Sequence, residues 1–305
     1  MQLPKRVIDG LCGLAPSGVR VDEPMARHTS FGLGGPADVL VEPPDVGSFR
    51  ACSDLLAEES VPTRVLGRGT NILVRSGGID GAVLVTKGAL SGLERQGATV
   101  SAAGGTSLPG LLQFCADEGL AGLEALAGIP GSVGGAVVTN AGSHGTEIAD
   151  LISEIAVFEP GGGSRKLEAA ELGAGYRSSS LPVGGVVESV TFSLAEDDPE
   201  DVSDRQKEFL DKKWRTQPCG MRSAGCVFKN PDAGPAGLLI DRANLKGVRV
   251  GGAVVSDQHA NFIVNDRGAT ADDVERLIDL VREKVREETG VELELEIELV
   301  GRRAH

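Results

Sequence analysis

The chain lacks the features that would indicate a membrane protein, a nucleic-acid binder or a protein held by disulfides. No apolar run approaches the roughly 18 residues from which a membrane span is inferred, so we expect no membrane partner. Basic residues number 30 against 44 acidic ones, and the net charge of −14 disfavours nucleic acid, whose phosphates need a basic surface. The five cysteines are odd in number and show no C-x-x-C spacing, which predicts neither a disulfide framework nor a metal site.

Two common nucleotide-binding motifs and a clear export signal are missing as well. The sequence has no G-x-G-x-x-G that opens the helix of a βαβ unit and no G-x-x-x-x-G-K-[ST], which disfavours a Rossmann domain and a P-loop NTPase. The first residues match a signal peptide poorly, because Asp9 and glycines interrupt the stretch after Lys5 and Arg6. Together with the cysteine usage, this predicts a protein of the reducing cytoplasm.

Glycine is what the chain has in excess, with 43 residues, about twice the ordinary share of ~7%. Two glycine-rich loops stand out, GRGTNIL (67–73) and GIPGSVGGAVVTNAG (128–142). Successive backbone N–H groups can bind phosphate without any charged side chain, and glycine permits the backbone conformations this needs. The pair of loops therefore predicts a dinucleotide site, although glycine-rich turns that only connect strands are the plainer alternative.

Periodicity and capping signals predict few helices among many short strands. Four helices are predicted: 45–60, 107–119 with Ser107 as cap, 203–214 with a Ser203–Gln206 capping box, and 271–289 between Thr270 and Gly290. Strands are predicted on both sides of the first glycine loop and in four further segments: 81–88, 98–105, 151–160 and 185–194. The acidic run AEDDPED (195–201) is typical of a linker or a domain boundary.

The segment VELELEIELVG (291–301) predicts a final strand in which apolar residues and glutamates occupy opposite faces. The glutamates are Glu292, Glu294, Glu296 and Glu298. Four like charges on one face repel when they are buried together, so we expect at least three of them to contact water or cations. The alternation alone does not select the one that differs.

Several reactive or cationic side chains lie among apolar or small residues. Arg177 suits a two-pronged grip on a carboxylate or phosphate, although a solvated surface arginine is the plainer reading of that residue alone. Lys229 and Asn230 follow a predicted strand, and His259 lies in a turn, where a lone histidine is more often a hydrogen-bonding residue than a catalyst. Cys226, in SAGCVFKNP (223–231), is either a buried structural thiol or a catalytic acid.

Taken in order, these stretches resemble the UDP-N-acetylenolpyruvoylglucosamine reductase family, also called the UDP-N-acetylmuramate dehydrogenases. The similarity runs from HTSFGLGGPADVLVEP (28–43) through GRGTNILV, GLEALAGIPGSVGGAVVTNAG and YRSS to QPCGMRSAGCVFKNP, SDQHANFIVN and LELEIELVG. It covers nearly the whole chain, and the block that contains GIPGSVGG is its most specific part. The short spacing between Arg177 and the 223–231 motif resembles the compact subtype of the family.

The resemblance implies an α+β fold in three parts. Residues 1–65 and 66–200 would be the two subdomains of an FAD-binding module of the vanillyl-alcohol-oxidase (PCMH) type, and residues 201–305 a C-terminal α+β substrate-binding domain. The implied activity is the FAD-dependent, NADPH-consuming reduction of UDP-N-acetylglucosamine enolpyruvate to UDP-N-acetylmuramate for peptidoglycan synthesis. We expect a cytoplasmic monomer.

The resemblance also implies roles for individual residues. The catalytic residues are Arg177, which binds the substrate carboxylate, Cys226, which donates a proton, and Glu296. The FAD-binding residues lie in the glycine loops and in one further glycine pair: Gly67, Arg68, Gly69, Thr70, Asn71, Gly104, Gly105, Ile129, Pro130, Gly131, Gly134, Gly135 and Asn140. The substrate-binding residues are Tyr176, Arg215, Lys229, Asn230 and His259. No metal is implied.

Two positions depart from the family pattern. Position 226 is usually serine, and a thiol, with an ordinary pKa of about 8.5, is a stronger acid than an alcohol. The change therefore allows activity, but a thiolate cannot donate, so activity should fall at alkaline pH. Gly32 stands where an arginine is frequent, which weakens the expectation of a cationic contact there. Another FAD-dependent oxidoreductase of this fold, or a non-catalytic sugar-nucleotide-binding paralogue, is the alternative.

Overall fold

A computed structural model describes residues 3–304 of the chain. Seven α-helices lie in this range: α1 (Lys5–Leu14), α2 (Val46–Glu58), α3 (Leu108–Asp117), α4 (Val133–Val138), α5 (Pro199–Thr216), α6 (Ala236–Arg242) and α7 (Ala271–Thr289). None of them combines the length and the apolar composition of a membrane-spanning segment.

The strands are short, as the glycine-rich sequence predicts. The first ten strands are β1 (Val19–Pro24), β2 (Pro36–Val41), β3 (Thr63–Leu66), β4 (Ile72–Val74), β5 (Ile79–Val85), β6 (Leu93–Gln96), β7 (Thr99–Ala103), β8 (Leu120–Ala121), β9 (Gly142–Ser143) and β10 (Thr146–Glu147). The remainder are β11 (Ile152–Glu159), β12 (Gly163–Glu168), β13 (Val186–Ser193), β14 (Ala195–Glu196), β15 (Arg249–Val250), β16 (Ala253–Val255), β17 (Ile263–Asn265) and β18 (Glu298–Val300).

The chain divides into two discontinuous units. The first contains the residues up to Val21, Val39–Arg68 and Gly81–Lys212, and the second contains Asp22–Asp38, Gly69–Asp80 and the residues from Lys213 onwards. The three contiguous segments 1–65, 66–200 and 201–305 stay a prediction, since they describe subdomains of a family rather than compact units of this chain.

The first unit is built on two sheets. A five-stranded antiparallel sheet has the order β12-β11-β13-β7-β6, and a four-stranded sheet, most of which lies in this unit, has the order β1-β2-β5-β3. α3 and α4 contribute Leu108, Leu111 and Val133 to the core that covers the five-stranded sheet. α1 and α2 pack Leu11 and Phe49 into the core beside the other sheet.

The second unit has a single core between its helices and short strands. β15, β16 and β17 form an antiparallel sheet, and the C-terminal β18 pairs in parallel with β4. The apolar stripe of α7 (Val274, Leu277, Ile278, Val281 and Val285) is fully buried in this core, as its helical spacing predicts.

All four predicted helices are confirmed, as α2, α3, α5 and α7, and side chains at the ends of α3 and α7 satisfy free backbone groups. Ser107 accepts the N–H of Gly110 at 3.1 Å, and α3 ends before Gly119, whose φ of +62° favours glycine. Thr270 accepts the N–H of Asp273 at 3.1 Å, and the Asp273 carboxylate accepts the N–H of Thr270 at 2.9 Å. The predicted strands of the first unit are confirmed as β3, β5, β7, β11 and β13.

The prediction of a linker at 195–201 was wrong, and the helix predicted for 203–214 is confirmed but begins earlier, at Pro199. The run is no linker, because Ala195–Glu196 pairs with β8 and α5 already begins at Pro199. Proline fits the first turn of a helix, where no N–H partner is needed, and the acidic residues that follow it favour a helix start. Ser203 therefore lies inside the helix and caps nothing, while the Gln206 amide donates to the Leu112 carbonyl at 2.8 Å.

Candidate active site

The two glycine loops pack against each other within the first unit. Gly67 follows β3 directly, and a Cβ atom at Gly67 would lie 2.3 Å from Oγ of Ser132 in the second loop. The Ser132 side chain is held in place, because its Oγ accepts the N–H of Gly135 at 3.2 Å and so caps α4. Gly67 is therefore a glycine for reasons of space, and a side chain there would push the loops apart.

These loops present backbone donors that the protein itself does not use. No acceptor among residues 3–304 receives the N–H of Gly67, Arg68, Gly131 or Ser132. Amides that point out of glycine-rich loops in this way form the cradle that binds phosphate oxygens. The residues present therefore fit the diphosphate of a dinucleotide such as FAD.

The N–H groups of Gly104, Gly105 and Gly134, which were also assigned to the cofactor, donate to carbonyls of the protein. The N–H of Gly134 donates to the Gly104 carbonyl at 2.7 Å, and Gly104 and Gly105 donate to carbonyls of Glu188 and Leu90 at 2.7 and 2.6 Å. A Cβ on Gly104 would lie 2.0 Å from the Val187 carbonyl oxygen. Ile129 donates its N–H to Leu126 at 3.1 Å, and Pro130 beside it is exposed.

In the second unit, Gly69 and Asn71 join the first glycine loop to neighbouring segments. Gly69 has a φ of +60°, and a Cβ there would lie 2.1 Å from the His28 carbonyl oxygen. Asn71 donates from Nδ2 to the Glu296 carbonyl at 3.2 Å, and its own carbonyl accepts the N–H of Glu298 at 3.0 Å. Asn71, with Thr70 before it, thus lies beside the segment that carries Glu296.

Arg177 lies at the tip of a tight turn in the first unit. Gly175 and Ser178 exchange both backbone hydrogen bonds, at 3.0 and 3.1 Å, which leaves Tyr176 and Arg177 as the two turn residues. Arg177 has a φ of +54°, a left-handed conformation that is uncommon for arginine. Its Nη2 donates to the Gly142 carbonyl at 2.9 Å, and the guanidinium lies 5.2 Å from the centre of the Tyr176 ring.

Asn140 is completely buried, and its side chain is occupied by protein partners. Its Nδ2 donates to Oε2 of Glu147 at 2.6 Å and to the Gly175 carbonyl at 3.0 Å, while Oδ1 accepts the N–H of Ala149 at 3.3 Å. The predicted contact of Asn140 with the cofactor would thus have to come from its backbone, whose N–H already donates to Val137 at 3.1 Å.

Cys226 lies in a segment that Asn261 holds in place within the second unit. The Asn261 side chain accepts the N–H of Phe228 at 3.0 Å and donates to the Phe228 carbonyl at 2.8 Å, and its carbonyl accepts the N–H of Val227 at 2.8 Å. Cys226 itself forms an isolated β-bridge with Phe262 and is half-buried. Backbone bonds therefore hold this segment on both sides of Cys226.

Glu296 is distinguished from the neighbouring glutamates by a bulge. The Val227 carbonyl accepts the N–H of both Glu296, at 2.8 Å, and Ile297, at 3.5 Å, which is the two-against-one pattern of a β-bulge. Regular strand structure is therefore limited to β18, although the sequence predicts a strand from 291. Glu292, Glu294 and Glu298 are exposed and Glu296 is half-buried, which confirms the expectation that at least three glutamates contact water.

The remaining candidate substrate-binding residues differ in the contacts that their side chains make within the protein. Among residues 3–304, the side-chain charged groups of Lys229 and Arg215 have no hydrogen-bond acceptor and no ion-pair partner. Asn230 uses Oδ1 to accept the N–H of Ala236 at 2.9 Å. Nδ1 of His259 accepts the N–H of Asn261 at 3.3 Å, and burial holds the pKa of His259 below its ordinary value. His259 is therefore a neutral support for Asn261.

Two of the cysteines, Cys52 and Cys115, are buried. Burial raises the pKa of Cys52 to about 11 and the pKa of Cys115 to about 12, so neither forms a thiolate near neutral pH. The prediction that Cys115 belongs to a core is confirmed. No three His, Cys, Asp or Glu side chains within the described part of the chain are grouped as metal ligands would be.

Sequence reasoning missed the residues that hold the candidate residues in place. Ser132 carries a recognisable signal, a serine directly before a helix, but Gly142 and Glu147 carry none, because their contacts come from other segments. Asn261 lies in the SDQHANFIVN motif, but its hydrogen bonds to Phe228 join residues 33 positions apart, which periodicity does not show.

The chain is similar to known proteins over almost its whole length. Profiles of two families match it, "UDP-N-acetylenolpyruvoylglucosamine reductase, C-terminal domain" over residues 217–300 and "FAD binding domain" over residues 37–167. The UDP-N-acetylenolpyruvoylglucosamine reductase of Moorella thermoacetica is 43% identical over 283 residues, which is 93% of this chain and 93% of the relative. That of Halalkalibacterium halodurans is 39% identical over 98% of this chain and 100% of the relative.

Solved structures show the same similarity. The UDP-N-acetylenolpyruvylglucosamine reductase from Thermus caldophilus superimposes with a TM-score of 0.81 at 40% identity, over 93% of this chain and 100% of that one. An alkyldihydroxyacetonephosphate synthase superimposes with a TM-score of 0.51 at 16% identity, over 64% of this chain and 41% of that one. At that identity the likeness shows the fold alone, and it agrees with the predicted α+β fold.

Proposed function

The chain belongs to the UDP-N-acetylenolpyruvoylglucosamine reductase family, and from this membership we propose how its residues carry out the family's reaction. It is an FAD-dependent oxidoreductase that reduces UDP-N-acetylglucosamine enolpyruvate to UDP-N-acetylmuramate for peptidoglycan synthesis. The proposal adds NADPH as the reductant, a cytoplasmic location, a monomeric state and the roles of Arg177, Cys226 and Glu296.

The cradle of the two glycine loops is the observation that carries the cofactor assignment. Four backbone N–H groups without protein acceptors, at Gly67, Arg68, Gly131 and Ser132, would hold the diphosphate of FAD. Gly69, Thr70 and Asn71 continue the first loop. Bound FAD supplies the hydride that the enolpyruvyl double bond accepts.

Arg177 binds the substrate carboxylate in this proposal. Negative charge develops on the enolpyruvyl group during reduction and spreads into the carboxylate, so a cation held there stabilises the transition state. The left-handed turn, the ring of Tyr176 and the Gly142 carbonyl all restrict the guanidinium, which limits the reorganisation needed when the charge forms.

Cys226 donates the proton that completes the reduction. Its S–H bond breaks, the proton forms a new C–H bond at the carbon beside the one that received hydride, and the electron pair stays on sulfur. The resulting thiolate regains a proton from water. Glu296 is the third catalytic residue of the proposal, and its N–H donates to the carbonyl of Val227, the residue after Cys226.

The substrate's phosphates and sugar have their own candidate ligands. Lys229 and Arg215 carry charges that no described residue neutralises, so they suit the diphosphate of the sugar nucleotide. Asn230 follows Lys229 directly, and Tyr176 is an exposed residue beside Arg177, so both belong to the proposed substrate-binding set. His259 contributes through Asn261 rather than by its own contact.

The test is an anaerobic assay of NADPH oxidation with and without UDP-N-acetylglucosamine enolpyruvate. We expect oxidation to depend on the sugar nucleotide and to yield one UDP-N-acetylmuramate per NADPH, which would exclude a non-catalytic binder. Denatured protein should release free FAD, whereas flavin that stays attached to the chain would support a different oxidoreductase of this fold. NADPH oxidation that ignores the enolpyruvyl substrate would overturn the proposal.

A further inference from the structure

The C-terminal end of α4 carries a polar network whose centre is Asn140. Asn140 is completely buried, has a φ of +39°, and bonds three other segments of the first unit through its side chain. The partners are the Glu147 carboxylate at 2.6 Å, the Gly175 carbonyl at 3.0 Å and the Ala149 N–H at 3.3 Å. A buried amide with every polar atom paired fixes its partners firmly, because an unpaired group there would be costly.

Two of these contacts fix the surroundings of Arg177. Gly175 opens the turn that carries Arg177, so the bond from Asn140 anchors the turn at its base. Glu147 pairs with Gly142 in the hairpin of β9 and β10, and the Gly142 carbonyl accepts the guanidinium. A Cβ on Gly142 would lie 3.1 Å from Nη1 of Arg177, which shows how closely the arginine is seated on this hairpin.

α4 connects this network to the glycine cradle. The helix starts after Ser132, whose N–H belongs to the cradle, and it ends two residues before Asn140. Six residues of α-helix span about 9 Å, at ~1.5 Å per residue. Within the first unit, the cradle and the Arg177 turn are thus held at opposite ends of one short rigid element.

We propose that Asn140 is a positioning residue, which holds the Tyr176–Arg177 turn so that the Arg177 guanidinium lies where the enolpyruvyl carboxylate binds. The inference rests on the proposed function, since it gives Arg177 the same ligand. The sequence analysis assigned Asn140 to FAD binding, whereas this proposal has its side-chain amide act on the substrate-binding arginine.

The test replaces Asn140 with Asp or Ala and measures the two half-reactions separately. Asn140→Asp places a second carboxylate beside that of Glu147, and the two repel each other when both are charged. At low pH the pair binds one proton, so that one carboxyl group can again donate a hydrogen bond to the other. The other charged groups near the pair are Asp150, which accepts the N–H of Glu147, and Arg177. Asn244→Asp is the matched control, since Asn244 also has a positive φ of +57° but is exposed.

We expect both Asn140 variants to keep FAD and to be reduced by NADPH at the wild-type rate. Their Kd for the enolpyruvyl substrate should rise by ~10- to 100-fold at neutral pH, as for a misplaced catalytic group. In Asn140→Asp the Kd should recover toward the wild-type value as the pH falls, while in Asn140→Ala it should not. Combined with Arg177→Ala, neither variant should weaken substrate binding further.

Three results would overturn the inference. They are loss of FAD from Asn140→Asp, an equal slowing of both half-reactions, and a substrate Kd that matches the Asn244→Asp control at every pH. Failure of the proposed function is recognised separately, because the wild-type enzyme would then show no reoxidation by the enolpyruvyl substrate.

Discussion

The segment that carries position 226 is held by backbone bonds to neighbouring segments. Its bridge to Phe262 and the bonds of Asn261 to Val227 and Phe228 are formed by backbone groups on the Cys226 side. A serine in place of the cysteine would leave these backbone bonds intact. The difference between the two is chemical, since a thiol releases its proton more readily than an alcohol does.

The lowered pKa of His259 should make the free energy of unfolding depend on pH. Burial, and more weakly the charge of Lys246, hold the pKa of His259 below its ordinary value of 6.5. As the pH falls below 6.5, the unfolded chain binds this proton first, so the free energy of unfolding decreases. Urea unfolding between pH 7.5 and 5 should show this decrease, and it should be smaller in His259→Gln. An identical pH profile for both proteins would refute the assignment.

Single residues also mark the limit of what the sequence could predict. Cys226, Arg177 and Glu296 were found because they lie in recognisable motifs. The support given by Asn140 was not predicted, because its partners come from positions 147, 149 and 175, and no local pattern links them. The bulge at Val227, which separates Glu296 from its neighbours, was not predicted either, because it depends on a contact between distant segments.

Among the elements, helices with capping signals were predicted best. α3 and α7 begin at side chains that accept the backbone N–H groups left free by the first turn, a local effect that a sequence displays directly. The start of α5 was predicted too late, because Ser203 and Gln206 have the spacing of a capping box although they lie inside the helix. The true start at Pro199 shows no such capping box.

The cap of α7 should contribute measurably to stability. Thr270→Ala removes the acceptor for the Asp273 N–H, and we expect the free energy of unfolding to fall by about 1 kcal/mol. Urea unfolding measures the loss. Glu288→Ala, on the exposed side of the same helix, is the control and should change stability by less than about 0.5 kcal/mol. Equal effects of the two substitutions would argue against the cap.

The glycine cradle makes a second prediction at the scale of elements. In Gly67→Ala the new methyl group meets Oγ of Ser132, which must move and release the N–H of Gly135. We expect the Kd of the apoprotein for FAD to rise about tenfold, the effect of roughly one lost hydrogen bond. Gly13→Ala, in α1 with open space around it, is the control for the substitution. Unchanged FAD affinity in Gly67→Ala would contradict the cradle.

At the scale of the whole molecule, resemblance predicted more than composition did. The net charge and the missing motifs excluded classes of protein, but only the ordered series of motifs from 28 to 301 predicted an α+β fold with an FAD-binding module. The two discontinuous units were not predicted, because contacts such as the pairing of β18 with β4 join segments far apart in the chain.

The monomeric state is a further prediction for the whole chain. A net charge of −14 on 31.5 kDa opposes self-association, because like charges repel between copies. Light scattering at low ionic strength should give a mass near 31.5 kDa. A stable dimer under those conditions would show that a surface of this chain overcomes the repulsion.

The central claim is that a thiol at position 226 protonates the product, and a single-turnover experiment tests it most directly. Enzyme reduced with NADPH is mixed anaerobically with UDP-N-acetylglucosamine enolpyruvate, and flavin absorbance and product are followed together. We predict that Cys226→Ser retains turnover and that Cys226→Ala slows product formation by about 100-fold or more, as removal of a general acid does. A Cys226→Ala enzyme that forms product as fast as the wild type would contradict the account.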